Sequence, residues 1–270
     1  MTEVIEKKLD EFFRGFSRAV RPLLMLDYDG TLAPFRVDRY KARPWAGVSE
    51  LLTEIQRNCI TRMVVITGRP AGEIAPLLNI EPAPEVWGLH GAERLHVDGR
   101  RELTKAPPNT QEKLEELHAR LREDPLGGLF EEKANAAVMH WRGVAPHKAK
   151  IIEKQTRELF EPLARDYGLA LLEFEAGLEL RAGPEKGDAV NALLDETGSP
   201  EPLPAAYLGD DITDEAAFRA IRGRGLGVLV RRQPRETAAD IWLCPPEELK
   251  AFLSRWLTAC NAPQNNQIHA

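Results

Sequence analysis

The stretch "LLMLDYDGTLAPF" at residues 23–35 ends an apolar run in two aspartates, Asp27 and Asp29, which are one residue apart. Like charges at the end of a buried strand repel each other, and each carboxylate resists the loss of its water. The two-residue offset puts both side chains on the same side of an extended stretch. A cation together with an anionic substrate would compensate for these costs, so the stretch predicts a site that holds both.

Two more polar clusters follow apolar runs that read as strands. Thr67-Gly68-Arg69 follows "MVVI", and Asp210, Asp211 and Asp214 follow "AYLG". In an open parallel sheet, ligands gather at the carboxyl ends of the strands, so the topology predicts that these clusters meet. Carboxylate oxygens suit Mg²⁺. Lys186 begins a predicted helix and is placed to neutralise phosphoryl oxygens.

Each of these motifs also has a purely structural interpretation, which the sequence leaves open. Asp-Gly pairs form turns, so "DYDGT" alone could be a turn. Asp211, Thr213 or Asp214 could cap the helix that follows them. Lys186 alone could be a solvated lysine at a helix start. The order of the motifs, at the ends of predicted strands, favours the functional interpretation.

The pattern of helices and strands must bring these residues together. Strands and helices alternate over 21–104 and 183–258, which predicts an α/β fold with a doubly wound parallel sheet. We assign residues 1–105 and 183–270 to this core and residues 106–182 to a smaller inserted α+β domain. One amphipathic helix is predicted over 3–20, an extended stretch over 129–142, a hinge over 104–110, and hairpins at Asp98-Gly99 and Ala176-Gly177.

Composition excludes several classes of protein. The 270 residues carry a formal net charge of −6, which argues against general nucleic-acid binding. Cys59, Cys244 and Cys260 are widely spaced and form no CxxC, which favours a reducing compartment, and we predict the cytoplasm. The first 20 residues have charges throughout, so we predict neither a signal peptide nor a membrane span. The polar tail 261–270 is expected to fray.

The motifs together resemble a known superfamily. "DYDGTL" (27–32), Thr67, Lys186 and "GDDITDE" (209–215) resemble the four ordered motifs of the haloacid-dehalogenase-like (HAD) phosphatases, whose core is Rossmann-type and whose cap domain is inserted between the second and third motifs. "GLHGAE" (88–93), "EEKANAAVMHWR" (131–142) and "YLGDDITDEAAF" (207–218) are similar to trehalose-6-phosphate phosphatases.

This resemblance implies a mechanism for the core residues. Asp27 attacks phosphorus and forms an aspartyl-phosphate, while Asp29 serves as general acid and then as general base. Mg²⁺ is held by the Asp27 carboxylate, the Asp29 carbonyl and Asp210. Asp211 and Asp214 are either further ligands or groups that hold metal-bound waters and Lys186. The catalytic set is thus Asp27, Asp29, Thr67 and Lys186, and the phosphate-binding set is Thr67, Gly68 and Arg69.

The resemblance also implies a role for the insert. Glu131, Lys133, His140, Arg142 and Glu179 are predicted to bind sugar hydroxyls, although a charged sheet face is more commonly just solvated. The predicted substrate is trehalose 6-phosphate. The alternatives are sucrose 6-phosphate, mannosyl- or glucosyl-3-phosphoglycerate, glucosylglycerol phosphate, or a non-catalytic sugar-phosphate sensor. We expect a monomer or weak dimer, with a trehalose-6-phosphate synthase as a candidate partner.

Overall fold

The structure is a computed structural model, and it describes residues 3–18, 21–36, 38–104, 107–124, 126–133, 135–174, 176–198 and 204–261. The chain divides into two compact units. The core unit is Met1–Glu102 with Glu185–Ala270, and the insert unit is Leu103–Pro184. The hinge predicted at 104–110 includes residues 105 and 106, and the frayed tail predicted at 261–270 includes 262–270; these lie outside the described residues.

The elements of the first half of the chain alternate between helix and strand. They are α1 (Glu3–Arg14), β1 (Leu23–Leu26), α2 (Val48–Asn58), β2 (Arg62–Ile66), α3 (Ile74–Leu78), β3 (Glu85–Gly88), β4 (Glu93–Leu95), β5 (Arg101–Leu103) and α4 (Pro108–Glu123). The predicted helix over 3–20 was too long. It ends at Arg14 and continues as a 3₁₀ helix over Gly15–Arg18, because glycine weakens an α-helix by about 1 kcal/mol relative to alanine.

The second half contains the insert sheet and then returns to the core. Its elements are β6 (Phe130–Lys133), β7 (Ala136–His140), α5 (Pro146–Tyr167), β8 (Ala170–Phe174), β9 (Gly177–Arg181), α6 (Lys186–Glu196), β10 (Ala205–Gly209), α7 (Glu215–Ile221), β11 (Leu226–Val230), β12 (Ile241–Leu243) and α8 (Glu247–Asn261). The extended stretch predicted over 129–142 is in fact two antiparallel strands, β6 and β7.

The main sheet has the strand order β12-β11-β10-β1-β2-β3-β4-β5. Strands β12 to β3 run parallel to their neighbours. Strand β4 runs antiparallel to β3, and β5 pairs with β4 at the edge through the turn predicted at Asp98-Gly99. The parallel α/β core is therefore confirmed, and the sheet is extended by an antiparallel hairpin.

Two hydrophobic layers explain why β1 is an unbroken apolar run. Leu24 and Leu26 face one layer, which α1, α2, α3 and α8 cover. Leu23 and Met25 face the other, which α6 and α7 cover. All four strand residues are buried. A strand covered on both faces leaves its polar residues only at its ends, which is where Asp27 stands.

The insert unit has its own antiparallel sheet in the order β6-β7-β9-β8. Helices α4 and α5 pack on one face of it, where Leu114 and Phe160 meet Met139 and Leu178. Charged residues lie on the opposite face. Among the helices of the described ranges, none is long and apolar enough to cross a bilayer.

Candidate active site

Three neighbouring strands deliver the predicted site residues to one edge of the main sheet. Asp27 directly follows β1, Thr67 follows β2, and Asp210 follows β10. The three strands are adjacent and parallel, with Leu26 in register with both Val65 and Leu208. The Asp27 backbone N–H continues the ladder by donating to the Leu208 carbonyl at 2.8 Å. The sheet order alone therefore brings the motifs together.

A buried lysine links the first aspartate motif to the last one at this edge of the sheet. The Lys186 ammonium donates to Asp27 Oδ1 and to Asp214 Oδ1, each at 2.7 Å. The Lys186 side chain is only 3% exposed. Burial alone would lower the pKa of Lys186, but the charges of Asp214 and Asp27 outweigh it and raise the pKa. The lysine is therefore positively charged beside Asp27.

Asp214 organises the site through both carboxylate oxygens. Oδ1 accepts from Lys186 and from the Tyr207 hydroxyl. Oδ2 accepts from the backbone N–H groups of Asp210 and Asp211, each at 2.9 Å. Asp214 is completely buried. The sequence left Asp214 open as a metal ligand or as a group that holds Lys186, and these contacts favour the second role.

Helix packing places Lys186 within reach of Asp214. Lys186 is the first residue of α6, and the contact between α6 and α7 passes over Gly187. A Cβ at Gly187 would lie 2.7 Å from the Ala216 carbonyl oxygen, so a larger residue would force the helices apart. The glycine thus permits the close approach that the Lys186–Asp214 contact needs.

Thr31 links the first and last motifs. Its hydroxyl lies 3.3 Å from Asp27 Oδ2 and 3.4 Å from Asp210 Oδ1. Gly30, at φ +87°, turns the chain so that the Asp210 carboxylate lies where a side chain would be; a Cβ there would be 2.0 Å from Asp210 Oδ2. Glycine adopts this left-handed conformation without strain and leaves this space.

Asp27, Asp210 and Asp214 form a buried carboxylate cluster whose ligand atoms lie within 4.8 Å of one another. Burial, with the charge of Asp214 added, raises the pKa of Asp27 to about 7 against the opposing charge of Lys186. Burial and then the charges of Asp27 and Asp214 raise the pKa of Asp210 well above its usual range. The cluster places three carboxyl groups beside one ammonium, and its hard oxygen donors fit a divalent cation such as Mg²⁺.

Asp29 forms a two-bond ion pair with Arg69. Arg69 Nε donates to Asp29 Oδ2 at 2.6 Å, and Arg69 Nη2 donates to Asp29 Oδ1 at 2.5 Å. The guanidinium also donates to the Arg39 carbonyl at 2.8 Å and lies over the Tyr28 ring. In this structure, then, Arg69 orients Asp29. Its predicted phosphate contact remains a prediction, as does that of Gly68.

The loop after β2, which carries Thr67, is held by the "HGAE" segment. The His90 N–H donates to the Thr67 carbonyl at 2.9 Å, and the imidazole lies against Gly68. Glu93 Oε2 accepts from the Ala71 N–H at 2.6 Å. The Arg69 N–H in turn donates to Thr67 Oγ1 at 3.2 Å. These contacts fix the position of the Thr67 hydroxyl.

Four of the five predicted sugar-binding residues share one face of the insert sheet. Glu132 on β6 points to α4, where it pairs with Arg122, so its neighbours Glu131 and Lys133 point the other way. On that face Lys133 pairs with Glu179 at 2.9 Å, and His140 lies 2.9 Å from Glu131. We call Glu131, Lys133, His140, Glu179 and Arg181 the insert polar face. Arg142 lies two residues beyond β7 and is exposed.

Three residues in these networks were missed by the sequence reasoning. Arg181 is buried on the insert polar face, and strand alternation from Glu179 could have found it. Tyr207 lies in a strand buried on both faces, where its hydroxyl needs a partner. Thr31 lies inside the "DYDGTL" motif, but nothing in its spacing indicates that it contacts Asp210. Asp211 is partly exposed, and its role as a ligand remains a prediction.

Comparison with known proteins agrees with this geometry. A profile of the trehalose-phosphatase family matches residues 25–241, which is most of the chain. The chain belongs to the trehalose-phosphatase family. A trehalose-phosphate phosphatase of Mycobacterium marinum is 30% identical over 87% of the chain and 61% of its own length. The chain therefore spans about three fifths of the length of the curated relatives it matches first.

Solved structures agree on the fold of this trehalose-phosphatase family member. The C-terminal domain of trehalose-6-phosphate phosphatase from Candida albicans aligns with a TM-score of 0.77 at 21% identity, covering 93% of this chain and 96% of that one. A haloacid dehalogenase-like hydrolase from Bacteroides thetaiotaomicron aligns with a TM-score of 0.62 at 17% identity, covering 87% and 99%. At these identities the likeness establishes the HAD-like fold alone.

The raised pKa of Asp27 predicts how the stability of the metal-free protein depends on pH. Its pKa is about 7 when folded and near 3.8 when unfolded, so between these values the folded state holds a proton that the unfolded state has released. The free energy of unfolding should therefore fall as pH rises from about 4 to about 7. Urea unfolding in EDTA would show this as a difference between wild type and Asp27→Asn, which lacks the titration. Parallel pH profiles for the two proteins would contradict the prediction.

Replacement of Asp214 should cost far more stability than replacement of its neighbour. Asp214→Asn removes one of the two charges that compensate buried Lys186, which should lower the free energy of unfolding by about 3 kcal/mol. Asp211→Asn, at a partly exposed position, is the matched control and should cost less than about 1 kcal/mol. Urea unfolding curves measure both. Equal losses would show that Asp214 does not organise the site.

Proposed function

We propose that this protein is a magnesium-dependent phosphatase that hydrolyses trehalose 6-phosphate to trehalose and phosphate through an aspartyl-phosphate on Asp27. The observation that supports this most is the buried arrangement of Asp27, Lys186 and Asp210. A carboxylate stands at the end of a strand, a charged lysine touches it at 2.7 Å, and a second carboxylate is linked to it through Thr31. Family membership supports the same reaction.

Asp27 serves as the nucleophile. A carboxylate and a phosphate dianion repel each other, so attack requires positive charge on the phosphoryl oxygens. Lys186 supplies one such charge. Thr67 Oγ1 accepts the Arg69 N–H, and its own O–H proton can be donated to an oxygen of the phosphoryl group. Mg²⁺, held by Asp27 and Asp210 with the Asp29 carbonyl, supplies further positive charge when it is bound.

Asp29 serves as general acid and then as general base. It gives a proton to the sugar oxygen as the phosphorus–oxygen bond breaks, and it takes one from the water that hydrolyses the aspartyl-phosphate. The two bonds from Arg69 hold the ionised carboxylate in one orientation for the second step, in which Asp29 takes a proton from water, and this reduces the conformational freedom that must be lost. We therefore assign Arg69 to the positioning of Asp29 as well as to the phosphate.

The insert polar face recognises the sugar. Carboxylates accept from two neighbouring hydroxyls at once, and an ammonium group donates to several. The pairs Lys133–Glu179 and Glu131–His140 offer both kinds of group on one face, and Arg142 lies just beyond β7. The alternative substrates share the phosphoryl group with trehalose 6-phosphate and differ in the group that carries it. The contacts of the insert polar face therefore determine which phosphorylated disaccharide or glucoside is preferred.

A non-catalytic sugar-phosphate sensor is the competing hypothesis. A sensor has no need for a nucleophile and a separate acid–base group, yet Asp27 and Asp29 are both present and both are held by cationic partners. This favours turnover. The cytoplasmic location, the monomer or weak dimer and a trehalose-6-phosphate synthase as partner remain predictions.

A panel of sugar phosphates, ranked by kcat/KM with Mg²⁺, tests the proposed function. Trehalose 6-phosphate should exceed glucose 6-phosphate at least about a hundredfold, a difference of roughly 2.7 kcal/mol in transition-state stabilisation. EDTA should abolish turnover and Mg²⁺ should restore it. Asp27→Asn should lose a factor on the order of a thousand or more in kcat while remaining folded. A higher kcat/KM for sucrose 6-phosphate or another of the alternatives would reassign the substrate, and metal-independent turnover would contradict the mechanism.

Variants of the insert polar face separate sugar recognition from phosphoryl chemistry. Lys133→Met and Glu179→Gln should each raise KM for trehalose 6-phosphate about tenfold, because each removes a charged partner of sugar hydroxyls. Neither should change turnover of p-nitrophenyl phosphate, which has no sugar. Glu132→Gln is the matched control, since this side chain points to α4 on the other face. If Glu132→Gln raised KM as much as the other two, the assignment of this face would be wrong.

A further inference from the structure

Cys59 and Cys260 lie at the C-terminal ends of two helices that pack against each other, although the two residues are far apart in the sequence. Cys59 caps the C-terminal end of α2, where its N–H donates to the Ile55 carbonyl at 3.1 Å. Cys260 lies in the last turn of α8. The two helices pack against each other, and both cysteines contact the same hydrophobic layer of the core. Both residues are partly exposed.

The groups around Cys260 favour its thiolate. The Trp256 indole donates to Thr61 Oγ1 at 3.0 Å, and this hydroxyl lies 3.2 Å from Cys260 Sγ, to which it can donate. Cys59 stands two residues before Thr61 in the chain, so the contact between Thr61 and Cys260 also brings Cys59 near Cys260. The neighbouring Cys59 thiol and then Thr61 lower the pKa of Cys260 to about 7, against the effect of burial. The neighbouring Cys260, together with burial, raises the pKa of Cys59.

We propose that Cys59 and Cys260 are a redox pair, which a small-molecule disulfide such as glutathione disulfide converts into an intramolecular disulfide. Reactive cysteines in redox pairs are accessible thiolates that lie next to a resolving thiol, and Cys260 and Cys59 meet these two descriptions. Cys244 is the remaining thiol, and its sulfur contacts backbone carbonyls rather than another cysteine. The pairing does not depend on the proposed phosphatase function.

The reaction balances as two exchange steps. The Cys260 thiolate attacks one sulfur of glutathione disulfide, forms a mixed disulfide and releases one glutathione thiolate. The negative charge that kept Cys59 protonated is then gone. Cys59 gives its proton to the released thiolate or to water, attacks the Cys260 sulfur, and releases the second glutathione. Two protein thiols are oxidised to one disulfide, and one glutathione disulfide is reduced to two glutathiones.

The disulfide would join α2 to α8 at the edge of the sheet away from the carboxylates. Thr61, next to the pair, precedes β2, whereas Thr67 follows it. The closed loop contains most of the chain, and cross-links that close long loops remove much of the freedom of the unfolded state. The oxidised protein should therefore melt at a higher temperature.

Peptide mapping of the full chain tests the pairing. The protein is incubated with glutathione disulfide, its remaining thiols are blocked with N-ethylmaleimide, and the digest is mapped by mass spectrometry. We expect a Cys59–Cys260 peptide pair in the monomer, with Cys244 carrying the maleimide. In the Cys59→Ser variant, oxidation should stop at the mixed disulfide between glutathione and Cys260, because the resolving thiol is missing. Cys260→Ser should leave Cys59 blocked by maleimide, since Cys59 is not the attacking thiol.

Cys244→Ser is the matched control and should oxidise as the wild type does. Stable glutathione on both Cys59 and Cys260, a disulfide that includes Cys244, or three maleimide-blocked cysteines would each overturn the proposal. The melting temperatures of the oxidised and reduced wild type give a second readout. An unchanged melting temperature in protein that is mapped as cross-linked would refute the stabilising role.

Discussion

The whole site depends on one buried ammonium group shared by two carboxylates. Lys186 touches Asp27 and Asp214 at 2.7 Å, and all three side chains are almost inaccessible to water. Removing these charges from water is costly, and a buried ion pair is seldom the most stable choice for a core. Asp210 adds a further carboxylate beside them. Three buried carboxyl groups beside one ammonium are suited to binding a divalent cation.

The fold is what makes this concentration of charge possible. Strands covered on both faces tolerate no charge along their length, so the carboxylates lie just past their ends, where backbone N–H groups and side chains can satisfy them. Asp214 uses both oxygens to hold Lys186 and the turn that carries Asp210. Gly30 and Gly187 leave space for the Asp210 carboxylate and for the α6–α7 contact. Each of these residues helps to hold the carboxylates and Lys186 close together.

Much of this arrangement could be predicted from the sequence, and the rest required three-dimensional contacts. Asp27, Thr67 and Asp210 follow unbroken apolar runs, and strand order alone brings such residues together. The Arg69–Asp29 pair could not be predicted, because nothing in the spacing says where a long arginine side chain points. From the sequence, Asp214 could be a helix cap, a metal ligand or a group that holds Lys186, and only its contacts in the structure distinguish these roles. The hairpin at Asp98-Gly99 was predicted, but its addition to the edge of the parallel sheet as β4 and β5 was not, because a hairpin is compatible with either sheet type.

The most direct measurement of the central claim is chemical trapping of the phosphorylated residue. Protein mixed with trehalose 6-phosphate and Mg²⁺ is quenched in acid within a single turnover and treated with borohydride, which reduces a phospho-aspartate to homoserine. Our account predicts homoserine at position 27 and at no other aspartate, in a yield that falls as the quench is delayed. Homoserine at another position, or none although phosphate is released, would contradict Asp27 as the nucleophile that Lys186 and Asp210 surround.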